Sequence, residues 1–590
     1  MRNEIIDHRF YNSQVDKYAK KQTIANKRVF LLGTLRLVIF LSVLTAWFFL
    51  FDSTLIWWIS LAGFTAFLFL VHLSSDARYE KKRAEKMVKI NQAELKAING
   101  DWSSFPDGAI YKDSAHPFSS DMDLFGSRSL FQLVNRTISR KGERMLARQL
   151  SNGTETIQLT NLAITELSEK VDWSQQFLAE GMVFIEADGE SDLKDLRNFP
   201  VELNASEKVL IYLVPLVSIA SIGLWYFDLI NGIIFSGVLA LVLTLVMRKV
   251  KRTNSVCLSI GRYDRLVSAY ERQVELINLV DFKSPEMKQW KSSHFAENGN
   301  VSEALKELAK IQKHMNYRLN LVAAFVLNFL LAWDLRVLNE WSQWHHANAS
   351  KLEGLEERLA EMEVWISGAT YFNNQSNGVF AEFSSSEELN IQELAHPFIP
   401  INSQVKNDLE FNTHEKFYIV TGPNMAGKST YLRSVGWALI SANAGFPVMA
   451  KKCVIPVMCL YTSMRTADDL NEQSSFFHAE LKRLRFIVDA IERGQKVFVI
   501  LDEILKGTNS KDKEEGSAGL LRKLAKLNAR GIIATHDLSL CKLAEESAEF
   551  RNRYFDSTIE NEELRFDYRI RDGVCQNMNA SFLLKKMGLV

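Results

Sequence analysis

The sequence predicts an all-α core followed by an α/β domain in which helices cover both faces of a parallel sheet. Three observations support this fold class. Four uncharged apolar runs form two pairs in the first half of the chain, which adds four transmembrane helices in two hairpins. Residues 151–200 and 256–370 are rich in Leu, Glu, Lys and Ala at helical spacing. At 422–430, a glycine-containing loop lies between a short apolar run and a helix-forming segment.

The first apolar pair lies near the start of the chain. Residues 37–51 carry no charge, and the run extends back to Val29 if the Arg36 side chain reaches the membrane interface. A second run, 55–73, follows a short polar break. A helix of about 20 residues rises about 30 Å, the thickness of the hydrocarbon layer. The sequence therefore predicts a transmembrane hairpin over 29–73.

The second apolar pair comprises residues 209–227 and 229–247, again without charges. It predicts a second transmembrane hairpin, and the alternative for both pairs is a buried hairpin of a soluble core. A shorter run, 319–333, contains two asparagines and would place the C-terminal domain across the membrane if it formed a fifth span. We therefore expect this run to form a buried helix of the core.

Basic residues flank the apolar pairs, whereas the hairpin tips carry only Asp52 and Asp228. The basic positions are Lys17, Lys20, Lys21, Lys27, Arg28, Arg78, Lys81, Lys82, Arg83, Lys86, Lys89, Arg248, Lys249, Lys251 and Arg252. The positive-inside rule then places both tips outside and both termini in the cytoplasm. The sequence predicts an integral protein of the plasma or inner membrane whose C-terminal domain faces the cytoplasm.

Residues 422–430 match the phosphate-binding pattern G-x-x-x-x-G-K-[ST] at every fixed position. Backbone N–H groups of such a loop, and of the helix that follows it, converge on phosphate oxygens. Lys428 is expected to reach the β- and γ-phosphates of a nucleotide, and Ser429 to hold Mg²⁺. The predicted nucleotide-binding residues are Gly422, Pro423, Asn424, Met425, Ala426, Gly427, Lys428, Ser429 and Thr430.

Two further strand ends complete a predicted P-loop ATPase site. An apolar run, 497–503, ends in Asp502, expected to hold the Mg²⁺ shell, and Glu503, expected to polarise the attacking water. A second apolar strand ends at His536, which can face the γ-phosphate from the same sheet edge. The predicted cofactors are ATP and Mg²⁺, and the predicted catalytic residues are Glu503, His536 and Lys428.

This region, about residues 390–590, resembles the MutS family of DNA mismatch-repair ATPases. The family's loop usually reads Gly-Pro-Asn-Met-Gly-Gly-Lys-Ser-Thr, and this chain has Ala426 at the middle glycine. Further segments resemble the part of the family's domain that leads up to the nucleotide site and the segments that bind Mg²⁺, contact the partner in the dimer and carry the histidine. The end of the chain resembles the C-terminal end of the family's ATPase domain. These segments are 396–397, 405–408, 502–503, 507–510, 535–536, 568–573 and 579–589.

The resemblance also implies a homodimer formed through the ATPase domains. Residues 466–480 resemble the family's signature segment, from which a serine contacts the γ-phosphate of the partner's ATP. Alignment makes this residue Ser475, and Ser474 is the alternative because Phe476 then replaces the usual threonine. DNA is a further candidate partner on the same ground.

A fainter resemblance covers residues 129–150, which are similar to the start of the family's helical core, although an ordinary amphipathic helix pair is the alternative. The mismatch reader and connector that precede this core in the repair enzymes are expected to be missing. Phe-x-Glu tripeptides, the sequence of the reader's wedge, begin at Phe184, Phe295 and Phe380. All three lie inside or after the core, so none is expected to read a mismatch.

Charge and cysteine content narrow the functional classes. Lys+Arg and Asp+Glu both number 70, so the whole chain exerts no global electrostatic attraction on nucleic acid. The cysteines show no metal-binding spacing, which predicts reduced core residues in a reducing compartment. They are Cys257, Cys453, Cys459, Cys541 and Cys575.

These observations favour a membrane-anchored MutS-like ATPase that couples ATP hydrolysis to binding of mismatched or structured DNA. The alternative is a membrane mechanoenzyme that acts on a protein or lipid partner without mismatch recognition. An ABC-type transporter is disfavoured because no Leu-Ser-Gly-Gly-Gln-like signature lies between 430 and 502. The predicted units are a cytoplasmic segment 1–28, hairpin 29–73, a basic helical linker 74–110, core 111–208, hairpin 209–247, core 248–375 and ATPase domain 376–590.

Overall fold

The N-terminal part of the chain is helical and the C-terminal part is a mixed α/β domain, as predicted from the sequence. The computed structural model describes residues 8–184, 193, 196, 198–248, 250–296, 301–319, 321–375, 378–464, 476–505, 509–560 and 563–576.

The first helices of the helical part are α1 (His8–Phe49), α2 (Leu55–Ile98), α3 (Leu130–Val134), α4 (Arg140–Asn152), α5 (Ile157–Ser168), α6 (Val171–Phe184), α7 (Ala205–Tyr226) and α8 (Gly232–Met247). The helices that follow are α9 (Val250–Gly261), α10 (Asp264–Leu279), α11 (Pro285–Lys291), α12 (Val301–Asn316), α13 (Leu321–Leu331), α14 (Trp333–Asn348) and α15 (Leu355–Asn374).

The first hairpin is longer than a membrane is thick. Helix α1 has 42 residues and α2 has 44, about twice the 20 residues that span a bilayer. The apolar halves expose large side chains, including Phe48 at 83% and Trp58 at 71% of their surfaces. The polar half of α2 continues into the helical core without a break. The predicted hairpin 29–73 and the predicted linker 74–110 therefore share one helix.

Three described helices, α1, α2 and α7, are long and apolar enough to cross a membrane by length and composition. Helix α8 is also apolar but has 16 residues, so it is shorter than the run 229–247 from which a fourth span was predicted. Asn231 accounts for the later start, because its side chain accepts a hydrogen bond from the Ile234 N–H at 2.9 Å and caps the helix.

The prediction that 319–333 forms a buried core helix holds only in part, because Phe329 and Ala332 are buried in the core but the outer face of the helix is exposed. Helix α13 packs against α7 and α8, and it exposes Phe325 and Val326 at 50% and 44% of their surfaces. The Ser218 hydroxyl of α7 donates to the Phe329 carbonyl at 2.6 Å, and the Phe235 ring of α8 meets the Phe329 ring edge-on. Helix α13 is thus a third apolar helix beside the second hairpin.

A buried polar network joins the first hairpin to the core. Arg136 donates to both carboxylate oxygens of Glu94 on α2, and its guanidinium lies 3.7 Å from the centre of the Phe105 ring. Asn374, the last residue of α15, donates to Glu94 at 2.9 Å and accepts from the Tyr11 hydroxyl of α1 at 2.8 Å. Both hairpin helices therefore contact the end of α15, the helix that leads into the α/β domain.

The α/β domain contains a larger sheet of six strands and a second sheet of four. Its strands are β1 (Gly378–Val379), β2 (Glu382–Phe383), β3 (Leu389–Leu394), β4 (Asn407–Phe411), β5 (Phe417–Thr421), β6 (Val448–Met449), β7 (Lys452–Ile455), β8 (Cys459–Ser463), β9 (Val497–Asp502), β10 (Arg530–Ala534), β11 (Phe550–Phe555), β12 (Thr558–Glu560), β13 (Glu563–Arg565) and β14 (Ile570–Asp572). The larger sheet has the order β14–β11–β5–β10–β9–β8, and the second has the order β2–β7–β3–β4. Strand β14 pairs antiparallel with β11, so the predicted parallel sheet has one antiparallel edge.

Helices cover both faces of the larger sheet. They are α16 (Lys428–Asn443), α17 (Phe476–Glu492), α18 (Ser510–Lys526) and α19 (Leu543–Glu546). Successive strand residues point to opposite faces. Tyr418 and Val420 accordingly share a buried cluster with α16, whereas Phe417 and Ile419 share another with α17 and α18.

The helical core meets the α/β domain at the end of β8. Asp121 accepts hydrogen bonds from the Thr462 hydroxyl at 2.7 Å and from the Met464 N–H at 3.1 Å. The Trp437 indole of α16 donates to the Met122 carbonyl at 2.6 Å. The core therefore holds the strand end from which the predicted signature segment departs.

Candidate functional site

The glycine-containing loop leaves the carboxyl end of β5 and enters α16. Gly422 and Gly427 have φ angles of +145° and +107°, which side-chain-bearing residues rarely adopt. A Cβ atom at Gly422 would lie 2.6 Å from the Phe555 carbonyl oxygen, so this position also lacks space for a side chain. The loop therefore needs glycine at these two positions to follow its observed backbone path.

Lys428 is buried and turns back into the loop. Its Nζ donates to the carbonyl oxygens of Gly422 at 2.6 Å and Pro423 at 3.1 Å. Burial lowers the pKa of Lys428, and the carboxylates of Asp502 and Glu503 act in the opposite direction. The loop thus surrounds a cation that can exchange carbonyl oxygens for phosphate oxygens.

Asp502 and Ser429, the two residues predicted to hold Mg²⁺, lie within hydrogen-bond distance of each other. The Ser429 hydroxyl donates to Asp502 Oδ2 at 3.2 Å. The two residues meet because β5 and β9 both lie parallel to β10, so their carboxyl ends share one sheet edge. Hydroxyl and carboxylate oxygens are ligands that Mg²⁺ prefers. Among the described residues, no group of three or more His, Cys, Asp or Glu is arranged to hold a metal ion.

His536 connects the predicted catalytic carboxylate to the loop. Its Nε2 lies 2.9 Å from Glu503 Oε1, 2.8 Å from Asn424 Oδ1 and 3.4 Å from Lys428 Nζ. Burial is the main cause that lowers the pKa of His536; Lys428 adds to it and Glu503 opposes it. The ring is therefore neutral near pH 7. The tautomer with a proton on Nε2 donates to the oxygens of Glu503 and Asn424.

The backbone at Glu503 is strained. Its φ angle is +49°, and its N–H donates to the Ala534 carbonyl of β10 at 2.9 Å. Left-handed φ values are uncommon for residues other than glycine, and such strain concentrates at functional sites. The geometry directs the Glu503 carboxylate away from the strand and towards the loop.

Glu480 of α17 holds the segment that follows Glu503, a role that the sequence did not predict. Its Oε1 accepts the Leu505 N–H at 2.6 Å, and Leu505 has a φ angle of +60°. Glu480 is 4% exposed. The sequence gives no signal for this support, because the burial of Glu480 and its contact with Leu505 both depend on tertiary packing.

Tyr568 borders the loop, and His396 packs against the helix that follows the loop. The ring of Tyr568 would lie 3.2 Å from a Cβ atom at Gly427, and the Tyr568 carbonyl accepts from Asn407 at 2.9 Å. His396 stacks against Trp437 of α16, and burial lowers the pKa of His396 to about 4. His396 is thus neutral near pH 7 and packs against α16. Tyr568 covers one side of the loop.

Several predicted site residues lie outside the described part of the chain. They are Ser474, Ser475, most of the 466–480 segment, 507–508 and 579–589. From the predicted dimer-contact segment, Asn509 caps α18 by accepting the Asp512 N–H at 2.9 Å. Among the predicted site residues that the structure describes, five lie close together at one sheet edge. They are Lys428, Ser429, Asp502, Glu503 and His536.

Comparison with known proteins shows that the C-terminal domain is similar to a domain of the MutS family. The family model for MutS domain V matches residues 418–585. A DNA mismatch repair protein MutS from Thermotoga sp. (strain RQ2) is 27% identical over 337 residues, which cover 55% of this chain and 37% of that protein. The corresponding protein of Geobacillus sp. (strain WCH70) is 29% identical over 229 residues, 38% of this chain and 26% of that protein.

A third relative, the DNA mismatch repair protein MutS of Lactobacillus delbrueckii subsp. bulgaricus (strain ATCC BAA-365 / Lb-18), is 30% identical over 250 residues. These cover 41% of this chain and 29% of that protein. The resemblance of this chain to the MutS family is thus confirmed. The chain spans about a third of the length of the curated relatives it matches.

Proposed function

We propose that this chain is a membrane-anchored MutS-like ATPase that binds ATP with Mg²⁺ and hydrolyses it. The observation that carries the proposal is the convergence of three strand ends, from β5, β9 and β10, on one sheet edge. They deliver a cationic loop residue, an Mg²⁺-type oxygen pair and a carboxylate held by a histidine, which are the parts that phosphoryl transfer requires.

Nucleotide binding is assigned to the loop and the first turn of α16. The loop N–H groups and the positive end of the helix dipole face the phosphates. Lys428 Nζ exchanges its two carbonyl acceptors for phosphate oxygens. Ser429 and Asp502 would hold Mg²⁺, and the bound ion would supply charge neutralisation to the nucleotide phosphates.

Hydrolysis is assigned to Glu503 and His536. Glu503 accepts a hydrogen bond from the attacking water and orients it, while its carboxylate is restrained by the imidazole 2.9 Å away. His536 also lies 3.4 Å from Lys428 Nζ, so it is placed beside the γ-phosphate that Lys428 would contact. A neutral imidazole has one Nε2 proton, which it donates either to Glu503 or to that phosphate, and the ring carries no charge that would repel Lys428.

Binding of a fluorescent ATP analogue with and without Mg²⁺ tests this assignment. Lys428→Ala removes the buried cation, so the affinity should fall at least about tenfold. Lys526→Ala, on the exposed end of α18, is the matched control and should change little. Equal affinities of the Lys428→Ala variant and the unaltered chain would contradict the assignment.

Membrane anchoring is supported by the exposed apolar surfaces of α1, α2 and α7. The basic flanks favour a cytoplasmic ATPase domain. Alkaline carbonate should leave the chain in the membrane pellet. A cysteine introduced at Asp228 should be labelled by an impermeant reagent from outside, whereas one at Lys513 should not. Extraction by carbonate would instead indicate that the hairpins form a soluble core.

Two partners remain as candidates. Relatives named as mismatch-repair proteins favour DNA. The Glu94–Arg136–Asn374 network favours a mechanoenzyme, because it connects the hairpin directly to the helix that enters the ATPase domain. Salt-dependent binding to duplex, mismatched and branched DNA, with ATPase stimulation measured in parallel, separates them. DNA binding supports the first candidate, and absent binding with lipid- or protein-stimulated turnover supports the second.

A further inference from the structure

A basic pocket lies where α2 leaves its apolar segment, between α2, α6 and α10. Its cavity of about 330 Å³ is called the foot pocket here. Four of its residues occupy one face of α2 at i, i+3, i+4 and i+7 spacing. The lining residues are Ser75, Arg78, Tyr79, Lys82, Val183, Phe184 and Arg265. The foot pocket thus combines three cations with an aromatic wall.

The aromatic wall is fixed by the surrounding core. The Tyr79 hydroxyl hydrogen-bonds to Glu180 of α6, and the Arg272 guanidinium lies 3.8 Å from the centre of the Tyr79 ring. Phe184 stacks on the Tyr79 ring, and the two ring centroids lie 6.0 Å apart. Glu180 also pairs with Arg83 at 2.9 Å, so its carboxylate is already neutralised.

The three cations lack carboxylate partners within the described part of the chain. Two acids of α2 near the pocket have other neighbours, since Glu80 lies 3.3 Å from Arg28 and Asp76 lies 3.9 Å from His72. Arg78 donates from Nε to the Ser74 carbonyl at 3.2 Å, which orients its guanidinium without neutralising it. The described surroundings therefore leave the foot pocket positively charged.

The position of the foot pocket matches the headgroup layer. Arg78 lies five residues beyond the end of the apolar run 55–73, or about 7 Å along the helix. Helical side chains lean towards the helix N-terminus, which for α2 is the membrane side. Headgroups extend about 5–7 Å beyond the hydrocarbon on each side. The cations at Arg78 and Lys82 therefore lean towards the lipid phosphates.

We propose that the foot pocket binds the phosphate of an anionic phospholipid headgroup. Arg78, Lys82 and Arg265 contact the phosphate, and Tyr79 and Phe184 pack against the glycerol backbone. The proposal rests on the membrane placement proposed above. It also makes the lipid a bridge between the first hairpin, on α2, and the core helices α6 and α10.

The test uses the full chain in a neutral detergent and acyl-labelled phosphatidylglycerol, with phosphatidylcholine as the neutral lipid. The triple variant Arg78→Gln, Lys82→Gln, Arg265→Gln should lose at least about tenfold in phosphatidylglycerol affinity. The control variant Lys81→Gln, Lys89→Gln, Arg262→Gln removes the same charge from α2 and the α9–α10 turn outside the pocket. Its affinity should stay within about twofold. Unchanged hydrogen-exchange protection of α2, α6 and α10 shows that each variant is folded around the pocket.

Because the triple variant can fail to fold, the three single glutamine variants are measured as well, and each should lower phosphatidylglycerol affinity severalfold. Equal losses in the pocket and control variants would overturn the proposal in favour of diffuse charge. Competition by free glycerol 3-phosphate at the lipid's affinity would identify a soluble phosphate ligand and overturn the lipid assignment. If duplex DNA displaces the lipid, and the triple variant also loses DNA binding, the foot pocket is a nucleic-acid site. That result would also overturn the lipid assignment.

The failure of this proposal is distinguishable from failure of the proposed function. A chain that resists carbonate extraction and hydrolyses ATP, but binds phosphatidylglycerol and phosphatidylcholine equally, retains its proposed function and has no headgroup site. A chain that carbonate extracts from membranes loses the placement on which the foot pocket assignment depends.

Discussion

Arg136→Leu is predicted to weaken the attachment of the first hairpin to the helical core. The side chains of Arg136 and Glu94 are 5% and 3% exposed. The guanidinium donates to both Glu94 oxygens and to the carbonyls of Leu133 at 3.1 Å and Asn135 at 2.9 Å. The substitution leaves a buried carboxylate whose described donor is the Asn374 amide.

The expected cost follows from this burial. Removing one partner of a buried ion pair costs about 3–5 kcal/mol, mainly because the other charge stays buried without compensation. The double variant Glu94→Leu, Arg136→Leu leaves no buried charge, so it should be more stable than the single variant. Arg485 and Glu492 form an exposed pair, with side chains 62% and 38% exposed. Arg485→Leu should therefore cost less than about 1 kcal/mol.

Hydrogen exchange of the full chain in detergent is the suitable assay, because a chain with several domains does not unfold in one step. Protection should fall in the α2 segment around Glu94 and at the C-terminal end of α15 in Arg136→Leu. It should recover in part in the double variant. Unchanged protection in the single variant, or lower protection in the double variant than in the single, would refute the reasoning.

Three further predictions concern a buried carboxyl, the loop and the dimer. Burial raises the pKa of Glu363 from 4.5 to about 7, so its contribution to stability is present below about pH 4.5 and is lost as pH rises through about 7, at most about 3 kcal/mol. The midpoint temperature of thermal unfolding should fall between pH 5 and 8, and it should change less with pH in Glu363→Gln. Parallel pH profiles of the variant and the unaltered chain would contradict this prediction. Gly422→Ala should weaken ATP binding at least about tenfold by backbone strain and a carbonyl clash, while Gly519→Ala, where a Cβ atom meets nothing within 4 Å, should not. In sedimentation with a non-hydrolysable ATP analogue, Ser475→Ala should weaken the dimer more than Ser474→Ala. If the unaltered chain is monomeric under these conditions, the predicted dimer is contradicted. If the two variants have equal effects, the assignment of Ser475 as the residue that contacts the partner's ATP is contradicted.

The local parts of the site could be predicted from the sequence because each is a short strand followed by its functional residue. Asp502 ends β9, His536 follows β10, and Lys428 begins the helix that the loop joins to β5; parallel pairing brings these strand ends to one edge. Glu480 could not be predicted, because its role depends on α17 packing near Leu505, which lies far away in sequence.

The apolar runs show the same limit. Composition defined the runs but not the elements that contain them, since α2 continues 25 residues past the end of its apolar run at 73, to Ile98. The run containing α13 is compatible with a core helix or a hairpin-associated helix, and periodicity cannot separate the two. In the structure it packs both against Ser218 and Phe235 of the second hairpin and, through Phe329, into the core.

Turnover by the Glu503→Gln variant tests the central claim most directly. The full chain in lipid nanodiscs should hydrolyse ATP only with Mg²⁺. Glu503→Gln keeps the size of the side chain but removes the charged base beside His536. The variant should bind ATP with near-normal affinity and turn it over at least about 100-fold more slowly. Turnover at the rate of the unaltered chain would contradict the assignment of Glu503 and, with it, the proposed ATPase mechanism.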